Sequence, residues 1–236
     1  PDPTEHHQVE LVNHDGTSTA FTCSWDADVY DTLFIIKNRD NVEDWYWVNG
    51  LIGYDKYVSS NNSDAETTDA NVITVSGTTI TLGSTLLVDN YVVECHKAGL
   101  AGGGSNTDGG TTVTVSANTV SGFSIISGVA STGSATTFGH GLNSAPEMVI
   151  GVDRTGGGTV KHVWHKGIAA ANTLRLNTTA ASAVNDSFNS TAPTDTVISF
   201  LPANWIVSSP DDWVGFCWHG VTGYSAFGNY EGNNAA

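Results

Sequence analysis

The chain has 236 residues, only 8 Lys and Arg against 24 Asp and Glu, and a formal net charge of −16. So acidic a surface repels phosphate backbones and anionic lipid headgroups, which argues against a nucleic-acid or membrane-surface partner; no stretch approaches the roughly 20 apolar residues of a spanning helix. With 26 Gly among abundant Ser, Thr and Asn, the composition favours turns and short strands, and an all-β fold follows.

Residues 1–8 read as an arm that holds the pair His6-His7. Val9 to Val12 alternates and meets Asp15-Gly16, a hairpin signal. Thr19 to Trp25 is a further strand candidate. The continuous apolar run Leu33 to Ile36 reads as a core strand. The aromatic strand Trp45-Tyr46-Trp47-Val48 ends in the turn pair Asn49-Gly50. A short strand over Tyr54 to Ser59 precedes a polar, acidic stretch, Asn61 to Asn71, expected as an exposed loop. Asn71 to Val75 and Thr78 to Leu82 form a hairpin around Ser76-Gly77, and Leu87 to Glu94 closes this half. Leu100 to Gly110 is Gly-rich and reads as a boundary.

The second half opens at Gly122-Phe123-Ser124-Ile125-Ile126. Gly139-His140-Gly141-Leu142 is a tight turn, Met148 to Val152 a core strand, Gly156-Gly157-Gly158 a hairpin turn, and Val160 to His165 an aromatic strand. Thr173 to Asn177 is short. Ala180 to Ala192 is polar, with Phe188 as its one large anchor. Thr196 to Leu201 and Trp205 to Val207 read as strands, Ser209 to Asp212 as a turn, and Trp213 to His219 as the last long strand. Helix is nearly absent; Ile168 to Asn172 has room for one turn.

The two halves repeat one weak pattern. Asp31 to Asp40 lies opposite Pro146 to Thr155, Trp47 to Gly50 opposite Trp164 to Gly167, and Tyr91 to His96 opposite Trp213 to Trp218. Internal repetition points to two tandem β-sandwich domains of jelly-roll type, arising by duplication: a first over 1–110 with its arm, a linker over 111–121, and a second over 122–236.

Chemistry-bearing constellations are sparse. His162, His165 and His219 are the best metal candidates, but residues i and i+3 of a strand point to opposite faces. His6-His7 on a solvated arm could chelate only between subunits. Asp26-Ala27-Asp28-Val29-Tyr30-Asp31 resembles the start of a calcium loop but lacks the Gly and Glu that complete an EF-hand, so a turn with solvated carboxylates is the better reading. No Gly-x-Ser-x-Gly elbow is present, and no pair of acids stands out as a glycosidase dyad. Trp47 and Trp164 are expected in the core, and Trp45 is the better candidate for the surface. Arg39 and Arg154, at the ends of the two core strands, are expected in salt bridges or carbonyl clamps. Cys95 and Cys217 read as buried small hydrophobes, with a Cys23–Cys95 disulfide as the alternative for the first half. Asn-x-Ser/Thr triplets such as Asn177-Thr178-Thr179 are expected by chance in such a composition. No catalytic residue, cofactor, metal ligand or ligand-binding residue is nominated.

Gly139-His140-Gly141-Leu142 with Ala145-Pro146-Glu147-Met148-Val149-Ile150, then Leu174 to Thr179, Phe188 to Thr194, and Gly220 to Tyr230 with its Gly-Tyr-Ser-Ala-Phe-Gly core, resemble in order and spacing the repeated β-sandwich domain of large virion proteins of marine tailed phages. The resemblance covers about residues 121–232, and 30–98 only through the repeat. In that family the closing motif often leads into a further domain; this chain is then a short member or one part of a longer one. The resemblance implies a non-enzymatic structural virion protein (tail, fibre or capsid-surface appendage) located on the particle surface. It would act by multivalent contact with other virion proteins and as a homo-oligomer, with a trimer favoured. The competing reading is a receptor- or carbohydrate-binding module at a fibre tip, with a host glycan or receptor as partner. A depolymerase-type hydrolase comes third.

Overall fold

The computed structural model describes residues 1–130, 133–184, 187–205 and 210–230. Within these the chain is all-β. In chain order its first half forms β1 (His7–Asn13), β2 (Thr19–Thr22), β3 (Tyr30–Asn38), β4 (Tyr46–Asn49), β5 (Gly53–Ser59), β6 (Thr67–Thr68), β7 (Ile73–Ser76), β8 (Thr79–Leu82) and β9 (Asn90–Leu100). The second forms β10 (Gly104–Asn106), β11 (Val113–Asn118), β12 (Phe123–Ala130), β13 (Thr136–Gly139), β14 (Met148–Asp153), β15 (His162–His165), β16 (Asn172–Arg175), β17 (Ala183–Val184), β18 (Val197–Phe200) and β19 (Asp211–Trp218), with a one-turn helix α1 (Pro202–Trp205) before β19.

Each half builds one large sheet and one small one. The first large sheet runs β1-β9-β3-β4-β5-β6 and is covered by the small sheet β2-β8-β7. The second runs β10-β11-β12-β19-β14-β15-β16-β17 and is covered by β13-β18. From β12 onward the second order repeats the first, strand role for strand role. The ladders agree: Phe34 lies between Cys95 and Val48, and Val149 between Cys217 and Trp164.

That register corrects one part of the sequence alignment. The residue placed like Trp164 is Val48, not Trp47. A slip of one residue reverses the face of a strand side chain, so the two tryptophans point opposite ways. Trp164 fills the core between β14–β15 and the small sheet, whereas Trp47 faces the other large sheet. Both are buried, as expected.

Three apolar layers result. One, with Phe34, Ile36, Val48, Tyr91, Val93 and Cys95, lies under the first small sheet. Another, with Phe138, Val149, Trp164, Phe200, Trp205 and Trp213, lies under the second. The third joins the two large sheets face to face: Leu33, Ile35, Trp47, Val58 and Ala98 meet Phe123, Ile125, Ile150, Val152, Val163, Val214 and Phe216. The rings of Trp47 and Phe216 cross this layer at 5.3 Å, edge to face. Full burial of one such side chain contributes roughly 1.5–3 kcal/mol. A strand covered on both faces reads as an unbroken apolar run rather than an alternating one, which is the physical reason for Leu33-Phe34-Ile35-Ile36.

Polar bonds from the first half clamp the layer on one side. Asn61 to Asn71, expected as an exposed loop, is mostly exposed, but its residues 62–66 bond to the second half here and Thr67–Thr68 form β6. Arg154 Nε donates to Glu66 Oε2 at 2.6 Å and Nη2 to Oε1 at 3.1 Å. Gly158 N donates to the Ser63 carbonyl at 2.7 Å, and Asn177 Nδ2 to that of Asn62 at 2.9 Å. Lys161, fully buried, donates to the Asp64 carbonyl at 3.2 Å. Arg154 thus forms the expected salt bridge. Arg39, its counterpart, is exposed.

Other expectations change locally. Residues 111–121, expected as a linker, hold β11, which pairs with β12 and extends the second large sheet. Asp15-Gly16 does not close a hairpin: β1 pairs with β9 and β2 with β8, so this turn carries the chain from one sheet to another. Gly16 takes φ 81°, and the Asp15 carboxylate accepts from the backbone N–H groups of Thr17 and Ser18. Trp205 ends α1 rather than starting a strand; Ile206 to Ser209 lie outside the described residues. Asp211 and Asp212 open β19 instead of forming a turn. Phe188 is the anchor expected of its segment, 1% exposed.

Candidate functional site

The two large sheets do not close along their whole length. Beside the shared apolar layer lies a cavity of about 550 Å³. Its floor comes from the facing sheets: Ile35 and Trp47 from the first, Phe123, Met148, Ile150 and Trp218 from the second. Its rim comes from the two ends of the chain. Pro3, His6 and His7 line one part, and Tyr224, Ser225 and Phe227 another.

Residues 1–5 of the arm are exposed, as expected, but His6 and His7 are partly buried and held in place. A 3-10 turn over Pro3–Glu5, capped by Asp2, leads directly into β1. Asn118 Nδ2 and His6 Nδ1 lie 3.1 Å apart, and the same amide donates to the Lys97 carbonyl. The His6 and Tyr224 rings meet edge to face at 6.3 Å. The Gly-Tyr-Ser-Ala-Phe-Gly stretch, singled out in the sequence, therefore forms a wall of the cleft.

At the mouth stand His7, Glu94 and His96, each half-buried, with one potential ligand atom from each within 4.8 Å of the others. Strand geometry puts them together. Glu94 and His96 are two apart on β9 and share a face. His7 is the cross-strand partner of His96 in the β1–β9 ladder. That face is the one turned to the second sheet, since Glu94 and His96 pair with Ile35 and Leu33 of β3. The His7 and His96 rings lie 4.7 Å apart at 54°, and His96 Nε2 is 3.7 Å from Glu94 Oε2.

Burial and the neighbouring His96 imidazole push the His7 pKa down, with Glu94 opposing. The adjacent His96 imidazole holds the Glu94 carboxyl below its usual range. The aromatic wall starts beside the trio: His96 is 5.5 Å from Phe123 and 6.2 Å from Trp218, and these two rings lie 5.0 Å apart. Chemically, the cleft offers stacking and apolar surface next to two imidazoles and a carboxylate.

Sequence reasoning nominated none of this trio as ligands, apart from considering His7 with His6 on a free arm. The local signal was Glu94-Cys95-His96, two polar groups with strand period two. His7 needs the ladder to find its partners.

The other candidates do not come together. His162 is buried, with Nδ1 3.0 Å from Ser187 Oγ and its ring stacked on Trp205. His165 faces away, accepting the Gly167 N–H and lying near Phe227. His219 Nδ1 contacts the Gly220 carbonyl. Asp26 accepts from the N–H groups of Asp28 and Val29, Asp28 accepts from Gly77 N, and Asp31 is buried with its pKa raised by desolvation. These carboxylates cap turns and do not converge. Trp45, expected at the surface, is only partly exposed and packs against the layer between the large sheets. Cys23, Cys95 and Cys217 are buried free thiols; Cys23 and Cys95 share one core cluster, and Cys217 lies opposite Ser124 in the β12–β19 ladder. Among the described residues no helix is long and apolar enough to cross a membrane.

Compared with known families, residues 3–236 match one family model, described as a domain of unknown function (DUF7483), and the chain belongs to that family. The match runs through both large sheets. No curated protein and no solved structure matches the chain.

Proposed function

We propose that the chain is a non-enzymatic structural protein of a tailed-phage virion, in the tail, a fibre or a capsid-surface appendage, built by duplication of a β-sandwich. The observation that carries this reading is the face-to-face union of the two large sheets, with Trp47 packed against Phe216 across it. Such a union makes a stiff four-layer block that can bear load and present loops and sheet edges at fixed spacing. The shared strand order and ladder register of the halves support duplication. The acidic surface suits a protein exposed at high local density.

In this reading the block acts through many weak contacts to other virion proteins and to its own copies, summed by avidity, with a trimer as the favoured assembly. Light scattering on the purified chain across a wide concentration range tests it. A stable homo-oligomer is the expected result, and a strict monomer throughout would contradict self-assembly.

A second reading has its own observation, the aromatic lining of the cleft. Partly exposed rings such as Trp218 and Tyr224 beside hydrogen-bonding groups are suited to stacking on a sugar, so a receptor- or carbohydrate-binding module is the alternative. A glycan screen with the wild-type chain and Trp218→Ala separates the two readings: binding lost in the variant favours the module, and no binding favours the structural role.

A further inference from the structure

The His7–Glu94–His96 cluster has a chemistry that neither structural contact nor sugar stacking uses. All three side chains come from paired strands, not loops, so the ladder fixes their relative positions. Their donor atoms lie within 4.8 Å of one another, with His96 and Glu94 already at 3.7 Å. Tetrahedral ligands at zinc bond lengths sit about 3.4 Å from each other. Side-chain rotation therefore has at most roughly 1.4 Å to close between any two donor atoms, 4.8 Å less about 3.4 Å.

The donor types are selective. Two imidazoles and one carboxylate suit zinc and its first-row neighbours, whereas calcium and magnesium require oxygen-only shells. Three protein ligands also leave a fourth position free, and here the trio borders the cavity.

We propose that His7, Glu94 and His96 bind a single divalent transition-metal ion of the zinc class, with its open coordination position facing the cleft between the large sheets. The site stands independently of the assembly proposed above, because it lies within one chain.

The test uses the full chain, freed of any affinity tag and stripped of metal by chelation. Zinc is titrated calorimetrically, and cobalt is titrated with visible absorption as a report of coordination. Variants are His96→Ala, Glu94→Gln and, as a histidine control outside the trio, His165→Ala. The expected result is one ion per chain and cobalt bands typical of four- or five-coordination. Loss of a group that only orients a metal ligand costs about 10–100-fold in affinity, so His96→Ala and Glu94→Gln should each weaken binding at least tenfold, with His165→Ala unchanged. Far-UV circular dichroism checks folding; if His96→Ala is unfolded, the near-isosteric Glu94→Gln carries the comparison. Absence of stoichiometric binding, or equal affinity in Glu94→Gln and wild type, would overturn the site.

Discussion

Arg154, at the end of β14, holds Glu66 of the first half in a two-point ion pair, 2.6 Å and 3.1 Å, with both side chains largely shielded from solvent. Fork-shaped pairing of this type is both stronger and more directional than a surface pair. It belongs to a cluster in which Lys161 Nζ and the Gly158 N–H also donate to the 61–66 segment. The pair therefore couples the two halves.

A double-mutant cycle measures that coupling. Glu66→Gln and Arg154→Met should each destabilise the chain by about 1–3 kcal/mol in urea unfolding, since each leaves a shielded partner unpaired. Together they should cost less than the sum, by about 1 kcal/mol or more. Strict additivity would mean that the pair is not an energetic link.

Gly151 occupies the ladder position that Ile36 fills in the first half. A Cβ there would collide with the Trp205 ring, which is 2% exposed and packed against Phe138, Phe188, Phe200 and Trp213. The tryptophan has replaced the missing side chain and leaves no space. Gly151→Ala is expected to cost about 1–3 kcal/mol by overpacking, read as a lower denaturation midpoint. Trp205→Ala should cost about 3–5 kcal/mol by opening a cavity. A neutral Gly151→Ala would show that Trp205 is not fixed where the fold places it.

His162 gives the fold an acid-sensitive point. Burial, and secondarily Arg175, lower its pKa from 6.5 to about 4. The unfolded chain then binds a proton that the folded one refuses, so the stabilisation is whole above pH 6.5 and fades as pH falls towards 4. The loss amounts to about 3 kcal/mol over that window. His140 and His7 are shifted in the same direction. Urea midpoints at pH 7 and pH 4.5 should differ in wild type, and the difference should shrink in His162→Gln. An unchanged difference in the variant would assign the acid sensitivity elsewhere.

Much of this was legible in the sequence because it is local. Strand period two, the turn pairs Asn49-Gly50 and Ser76-Gly77, and the glycine run 156–158 marked most strands and hairpins. The repeated Cys95 and Cys217 marked equivalent strands, and the ladders place them alike. Face assignment was harder. Trp47 and Trp164 look alike as letters, yet one residue of register sends them into different layers. The unbroken run Leu33 to Ile36 carried the clue that both faces of β3 are covered, but not by what. Sequence neighbours cannot reveal that β9 faces β12, that Glu66 reaches Arg154, or that His7 stands opposite His96. Those relations exist only once the sheets stack.

Both halves pack as one block around the Trp47–Phe216 layer. Differential scanning calorimetry of the whole chain tests it most directly. One cooperative transition is predicted, with calorimetric and van't Hoff enthalpies equal, moving as a unit to lower temperature in Phe216→Ala. Two separable transitions in the wild type, or a shift confined to one of them in the variant, would contradict it.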